Sequence, residues 1–138
     1  MVPKSGDIVE DYPYLWLRQR KAGETEGRKP RPVCVAISVS DDQGLTHLAL
    51  LPISSQVPQR GQQAIAIIKT ERRKLGLDID RDAWIYISEY NYDIAEKSFY
   101  LSRKVGPRKS LSTAFLKDVL ALFKPTLTKK SGRVSRRE

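Results

Sequence analysis

Arg31 stands where a proline-punctuated approach, Gly27-Arg28-Lys29-Pro30-Arg31-Pro32, meets an apolar run that begins Val33-Cys34-Val35-Ala36-Ile37. A guanidinium keeps its charge across physiological pH and offers paired donors, so at the mouth of a rigid element it suits recognition of an anion. Pro32 biases Arg31 toward extended geometry and can itself fill the first position of a strand. A solvated arginine at a strand start is the plain alternative. Other reactive residue types carry less. Cys34 is the only cysteine. That excludes an internal disulfide and a cysteine zinc cage, and inside an apolar run the residue reads as core. His47 is the only histidine. An extended run of about 23 Å separates it from Ser54, which excludes a local Ser–His pair and leaves His47 a structural role. No P-loop, dinucleotide glycine fingerprint, HExxH helix or GxSxG elbow is present.

Several short elements must position these residues. Gly6 to Tyr12 forms a first short strand, succeeded by aromatic bulk from Tyr12 to Trp16 with Pro13 breaking the ladder. Residues 18–31 form a charged, glycine-containing loop over the surface, either a mobile solvated segment or a lid beside a substrate edge. After Pro32, Val33, Val35, Ile37 and Val39 alternate with Cys34, Ala36 and Ser38, the pattern of a strand packed on both faces. Asp41 to Gly44 is a hairpin turn, and His47 to Ser55 a nearly continuous apolar strand in which Pro52 marks a bulge or the end of pairing. Ala64 to Ile68 is a third core strand, and Thr70 to Leu75 a helical turn closed by Gly76. From 83 to 90 the chain alternates again. Ala83, Ile85, Ile87 and Glu89 share an aliphatic face, and Trp84, Tyr86, Ser88 and Tyr90 the other. That aromatic face suits a second core layer, a dimer contact or a stacking platform for bases. Ser98 to Leu101 reads as a last short strand. Leu111, Phe115, Val119 and Leu122 or Phe123 recur at helical spacing, with Leu116 and Leu120 widening the stripe, Ser110 or Ser112 as N-cap and Pro125 as the stop.

Length fits one domain, and a net charge of +9 calls for an anionic partner: RNA, DNA, an acidic protein or an anionic membrane surface. No stretch approaches the roughly 18 apolar residues of a membrane span and no signal peptide opens the chain, so the expectation is a soluble, cytoplasmic protein. From Lys124 onward six Lys/Arg stand against one Glu without apolar periodicity. The expected organisation is therefore a domain over 1–124 and a basic, disordered tail over 125–138. The whole is mainly β with a C-terminal α-helix, consistent with a small, strongly bent barrel.

Gly6-Asp7-Ile8-Val9, then Glu26-Gly27 leading to Arg31-Pro32-Val33, then Pro52-Ile53-Ser54-Ser55-Gln56, resemble in order the MazF/PemK (Kid) toxins, endoribonucleases of bacterial toxin–antitoxin systems with an SH3-like barrel. Ile65-x-Ile67, Leu75-Gly76-Leu77, Arg81-Asp82-Ala83-Trp84-Ile85 and the acid Glu89 continue the likeness, which spans roughly residues 5 to 124. The resemblance implies catalytic roles for four residues. Arg31 would hold the scissile phosphate, Ser54 would serve it with a hydroxyl, Glu26 would be a loop acid and Glu89 a general base. It implies RNA-binding roles for Arg28, Lys29, Ser55, Gln56 and Tyr90. It implies cleavage of single-stranded RNA to 2′,3′-cyclic phosphate and 5′-hydroxyl ends without metal or cofactor, a homodimer and a cognate antitoxin. The uncovered bulk of Trp84, Tyr86 and the apolar helix also argues for the dimer. There are departures. Ile87 stands where some members place a general-acid arginine, Tyr90 where glutamine is common, and the first loop is longer. Tyr90, Tyr92 or Arg28 are then the candidate acids. Two other readings remain: a non-catalytic, CcdB-like toxin of the same barrel that acts on DNA gyrase, and an RNA- or protein-binding module.

Overall fold

Alternating β-branched residues after Pro32 produce the longest strand of a computed structural model that describes residues 2–102 and 108–137. This strand, β2 (Arg31–Ser40), pairs antiparallel with β1 (Ile8–Tyr12) on one side and β3 (Thr46–Ser54) on the other. It is buried on both faces over residues 33–36, whereas Val39, expected on a packed face, is 55% exposed. Cys34 and Ala36 join the core beneath the C-terminal helix, while Val33 and Val35 join a second cluster with Tyr12, Tyr14 and Trp16. The short segments α1 (Leu17–Lys21), β4 (Ala64–Ala66), α2 (Lys69–Lys74), β5 (Trp84–Tyr86), β6 (Tyr90–Ile94) and α3 (Phe99–Ser102) complete the first three quarters of the chain. The stretch read as a charged loop thus contains a helix, and Ser98 to Leu101 falls on a helical turn instead of a strand.

Sheet order is β1-β2-β3-β5-β4, with β6 also pairing with β3. β3 meets β5 through Ile53↔Ile85 and β6 through Leu50↔Asn91, so Leu51 and Pro52 face the whole of residues 86–90. Pro52 has no N–H to give a ladder, and the chain opposite it bulges. A bulge changes which face each later side chain takes. Ile85 and Ile87 point into the core beneath the helix, but so does Tyr90, whereas Glu89 turns to the side of Tyr14 and Leu17. The expected faces of Glu89 and Tyr90 are therefore exchanged.

The final helix, α4 (Thr113–Lys129), starts where the Ser112 Oγ accepts a hydrogen bond from Phe115 N at 3.3 Å and buries Phe115, Val119 and Phe123. Pro125 does not stop it. The missing proline donor costs one helical bond, yet Leu127 packs on the core and the Thr126 hydroxyl donates to Ile87 O at 2.5 Å, and the helix ends only at Lys130 (φ 61°). The tail is not disordered over its length either. A final strand, β7 (Arg133–Ser135), lies parallel on β6 with Val134 only 1% exposed. Gly132 makes this approach possible, since a Cβ there would sit 2.5 Å from Ser88 O. A boundary at 124 rests on charge, while the segment is held by backbone ladder bonds and one apolar residue, neither of which composition registers.

Tyr86 (2% exposed) and the apolar stripe of α4 are covered within the chain, and Trp84 packs against the second cluster. Leu122 on the same helix stays 50% exposed. Among the described residues no helix is long and apolar enough to cross a membrane.

Candidate active site

Residues 13–16, between β1 and α1, have no regular structure, so the position of this segment depends on buried polar side chains from elsewhere. Asn91, fully buried on β6, accepts from Leu15 N at 2.9 Å and donates to Leu15 O at 2.7 Å. Glu89 Oε1 accepts from Leu17 N at 2.8 Å and from the Tyr14 hydroxyl at 3.1 Å. Beyond β7, Arg136 donates to Pro13 O at 2.6 Å, and Arg20 reaches Ser135 O. Gly27 lets its loop lie on this segment, for a Cβ there would meet Pro13 O at 2.2 Å. Each clamp satisfies a backbone group that burial would otherwise leave unpaired.

Held in this way, Trp16 is buried edge-on between Tyr14 (5.1 Å) and Tyr86 (5.2 Å). Two guanidiniums lie over its ring, Arg18 at 4.9 Å and Arg31 at 5.2 Å from the centroid. Arg31 is half-buried, and its Nε is buried without a hydrogen-bond partner. Burial first, and the charge of Arg18 second, hold its pKa below the ordinary arginine value. Like charges brought together on a semi-buried ring favour an incoming anion.

Three cavities of about 500, 450 and 300 Å³ meet at Ser54 and Gln56, which line all three. Ser54 closes β3, is 8% exposed, and its Oγ accepts from Gln56 N at 3.1 Å. The largest cavity has Arg18, Lys21, Arg60, Tyr86 and Glu89 in its walls. The second has Lys29, Arg31 and Arg81 with Asp78 and Asp82. The smallest is lined by Arg18, Arg28, Lys29 and Arg31 and by no carboxylate. Glu89 is 5% exposed. Burial raises its pKa against the opposing pull of the Leu17 and Tyr14 bonds and of Arg18 and Lys21. A carboxylate so poised takes up a proton more readily than a solvated one. Arranged around one groove, these groups can bind a phosphate-like anion and accept a proton beside it.

Of the residues singled out in the sequence, Arg31, Ser54, Glu89, Lys29, Ser55, Gln56 and Arg28 all reach this groove. Arg28 arrives already paired, its guanidinium on the Glu24 carboxylate at 2.7 and 3.0 Å. Ser55 Oγ accepts from Arg81 at 3.0 Å. Glu26 is exposed on the loop and lines none of the three cavities. Tyr90 is no RNA-facing ring: it is 4% exposed and packs edge-on against Phe123 at 5.3 Å, because the bulge before it turned it under α4. Tyr92 is engaged elsewhere, 2.7 Å from a ring nitrogen of His47 and beneath the Arg133 guanidinium. His47 completes that contact with Asp41 at 2.7 Å, the structural role expected of it.

Trp16, Arg18, Asn91 and Arg136 escaped sequence reasoning as parts of a site. One signal was available, the aromatic run Tyr12-Pro13-Tyr14-Leu15-Trp16 passing directly into Arg18, Arg20 and Lys21. No family model matches the chain, and no curated protein matches it.

Proposed function

We propose that this chain is a toxin-like endoribonuclease of the MazF/PemK kind, built on a small SH3-like barrel and cutting single-stranded RNA. The observation that carries the reading is the half-buried Arg31 guanidinium, without a carboxylate partner among the described residues, in a cavity that adjoins, through the shared wall residues Ser54 and Gln56, the cavity lined by the raised carboxylate of Glu89. Glu89 removes the proton of a ribose 2′-hydroxyl, and the freed oxygen forms a bond to the adjacent phosphorus. The bond from phosphorus to the 5′-oxygen breaks, and that oxygen takes a proton from solvent. Products are a 2′,3′-cyclic phosphate and a 5′-hydroxyl. Arg31 and Ser54 hold the phosphate oxygens while negative charge builds on them. The reaction consumes the 2′-hydroxyl, so DNA is not a substrate. By the same resemblance the protein acts as a twofold dimer restrained by an antitoxin.

The test is incubation of a mixed-sequence RNA and the matching DNA with pure protein in EDTA, with analysis of the new ends. Wild type cuts only the RNA. Arg31→Ala lowers the rate by about a hundredfold or more, the scale for losing one charge-stabilising donor, with little change in melting temperature. Arg31→Lys does not restore it, because a point charge lacks the two-pronged contact. Wild-type protein that leaves RNA intact overturns the proposal and favours a gyrase-directed toxin or a binding module. An Arg31→Ala protein that cuts at the wild-type rate overturns the site.

A further inference from the structure

We propose that Arg18 is a second catalytic guanidinium at the same phosphate, a role that rests on the nuclease reading above. The phosphodiester carries one negative charge before reaction. Once Glu89 has taken the 2′-proton and the new O2′–P bond is forming, the pentacoordinate phosphorus group carries two. One arginine matches the ground state; two match the dianion that forms from it.

Arg18 meets the positional requirements. Its guanidinium shares the Trp16 ring with Arg31, and it lines both the cavity that contains Glu89 and the one that contains Arg31, each with Ser54 in the wall. No described residue forms a hydrogen bond or ion pair with its side chain, so its charge is not spent on a carboxylate. It acts electrostatically on Arg31, Tyr86 and Glu89 alike, so the site feels its charge although the side chain is exposed. The strand position two before Glu89 cannot supply this cation, for Ile87 is buried in the apolar core. The charge comes instead from α1, and α1 is fixed by the Leu17–Glu89 and Leu15–Asn91 bonds, so Arg18 is presented by an anchored segment. Two unneutralised guanidiniums held near one ring repel each other in the free protein, and a dianion relieves that repulsion more than a monoanion does.

The experiment compares Arg18→Ala, Arg18→Gln and Arg18→Lys with wild type and Arg31→Ala. Two quantities are measured: the single-turnover cleavage rate at saturating protein, and the affinity for the same oligonucleotide carrying 2′-deoxyribose at the mapped cleavage position. Melting curves accompany each variant, and because Arg18 is exposed the fold should hold. Arg18→Ala and Arg18→Gln are expected to slow cleavage by about a hundredfold while weakening the uncleavable analogue less than about tenfold. Arg18→Lys recovers part of the rate. Weakened binding of the analogue with an unchanged rate at saturating protein overturns the proposal, since Arg18 would then only bind the ground-state strand. Unchanged cleavage in a protein that Arg31→Ala cripples overturns it while leaving the nuclease reading intact. Wild type that cuts no RNA overturns both.

Discussion

Removing the Asn91 side chain should release the segment that carries Trp16 and Arg18. In Asn91→Ala two hydrogen bonds disappear, one from Leu15 N at 2.9 Å and one to Leu15 O at 2.7 Å, and Leu15 itself is 0% exposed. Leaving a buried backbone group unpaired costs about 1–3 kcal/mol, so the pair costs about 2–6 kcal/mol before any cavity is counted. For a chain of this size about 1 kcal/mol moves the melting temperature by roughly 4 °C, which predicts a fall of about 10 °C or more. The change should also be local. Amide exchange at Leu15 and Leu17 should accelerate first, while the β2–β3 amides keep their protection until global unfolding. Asn91→Asp should fall between, since it keeps the acceptor for Leu15 N but sets an oxygen against Leu15 O, with Arg136 only 3.4 Å from Oδ1 to offset the charge. An Asn91→Ala protein that melts within about 2 °C of wild type, with Leu15 exchange unchanged, would falsify the view that this side chain holds the segment.

Two other buried groups give measurable outcomes. Burial raises the Glu89 pKa, so the folded chain holds this proton more tightly than the unfolded chain does. The associated stability is complete below the unfolded carboxyl value of about 4.3 and is lost as pH rises through the higher folded value. Glu89→Gln, neutral throughout and still able to accept from Leu17 N, should therefore gain in melting temperature relative to wild type between pH 4 and neutrality while losing RNA cleavage; a relative advantage that shrinks with rising pH contradicts this. Val134, 1% exposed on β7, loses two methyl groups in Val134→Ala, worth about 2 kcal/mol with the cavity left behind. A thermal melt identical to wild type would show that β7 contributes nothing to the fold.

Strands β2 and β3 and helix α4 were legible because each buries a regular apolar pattern long enough to outweigh local noise, and the Ser112 cap sits where such patterns begin. Arg31 and Ser54 were legible as strand ends. Glu89 reached the groove for a different reason from the one its alternation suggested. A bulge opposite Pro52 reversed the faces after Ile87, and that reversal depends on the register between two strands, which no single segment contains. The same bulge removed Tyr90 from the surface. Arg18 was hidden because its place is fixed by Asn91 and Glu89, whose bonds to Leu15 and Leu17 span 76 and 72 residues of sequence. Val134 was hidden because a single apolar residue among basic ones has no period to read.

The parallel strand β7 also sets an order of events. Arg136 meets Pro13 across 123 residues, Arg20 meets Ser135 across 115, and Leu15 meets Asn91 across 76. Loop closure becomes more costly with separation, and contacts between distant parts of a chain form late. The β2–β3 hairpin closes through a short turn, whereas the face that carries Arg18 and Arg31 needs residues near both ends of the described chain. On the ribosome, Trp16 and Arg18 emerge long before the residues that fasten them have been made. The hydrophobic scaffold therefore precedes the groove, and a nascent chain already folded around β2 and β3 still lacks the fastened arginine pair until residues 133–136 arrive.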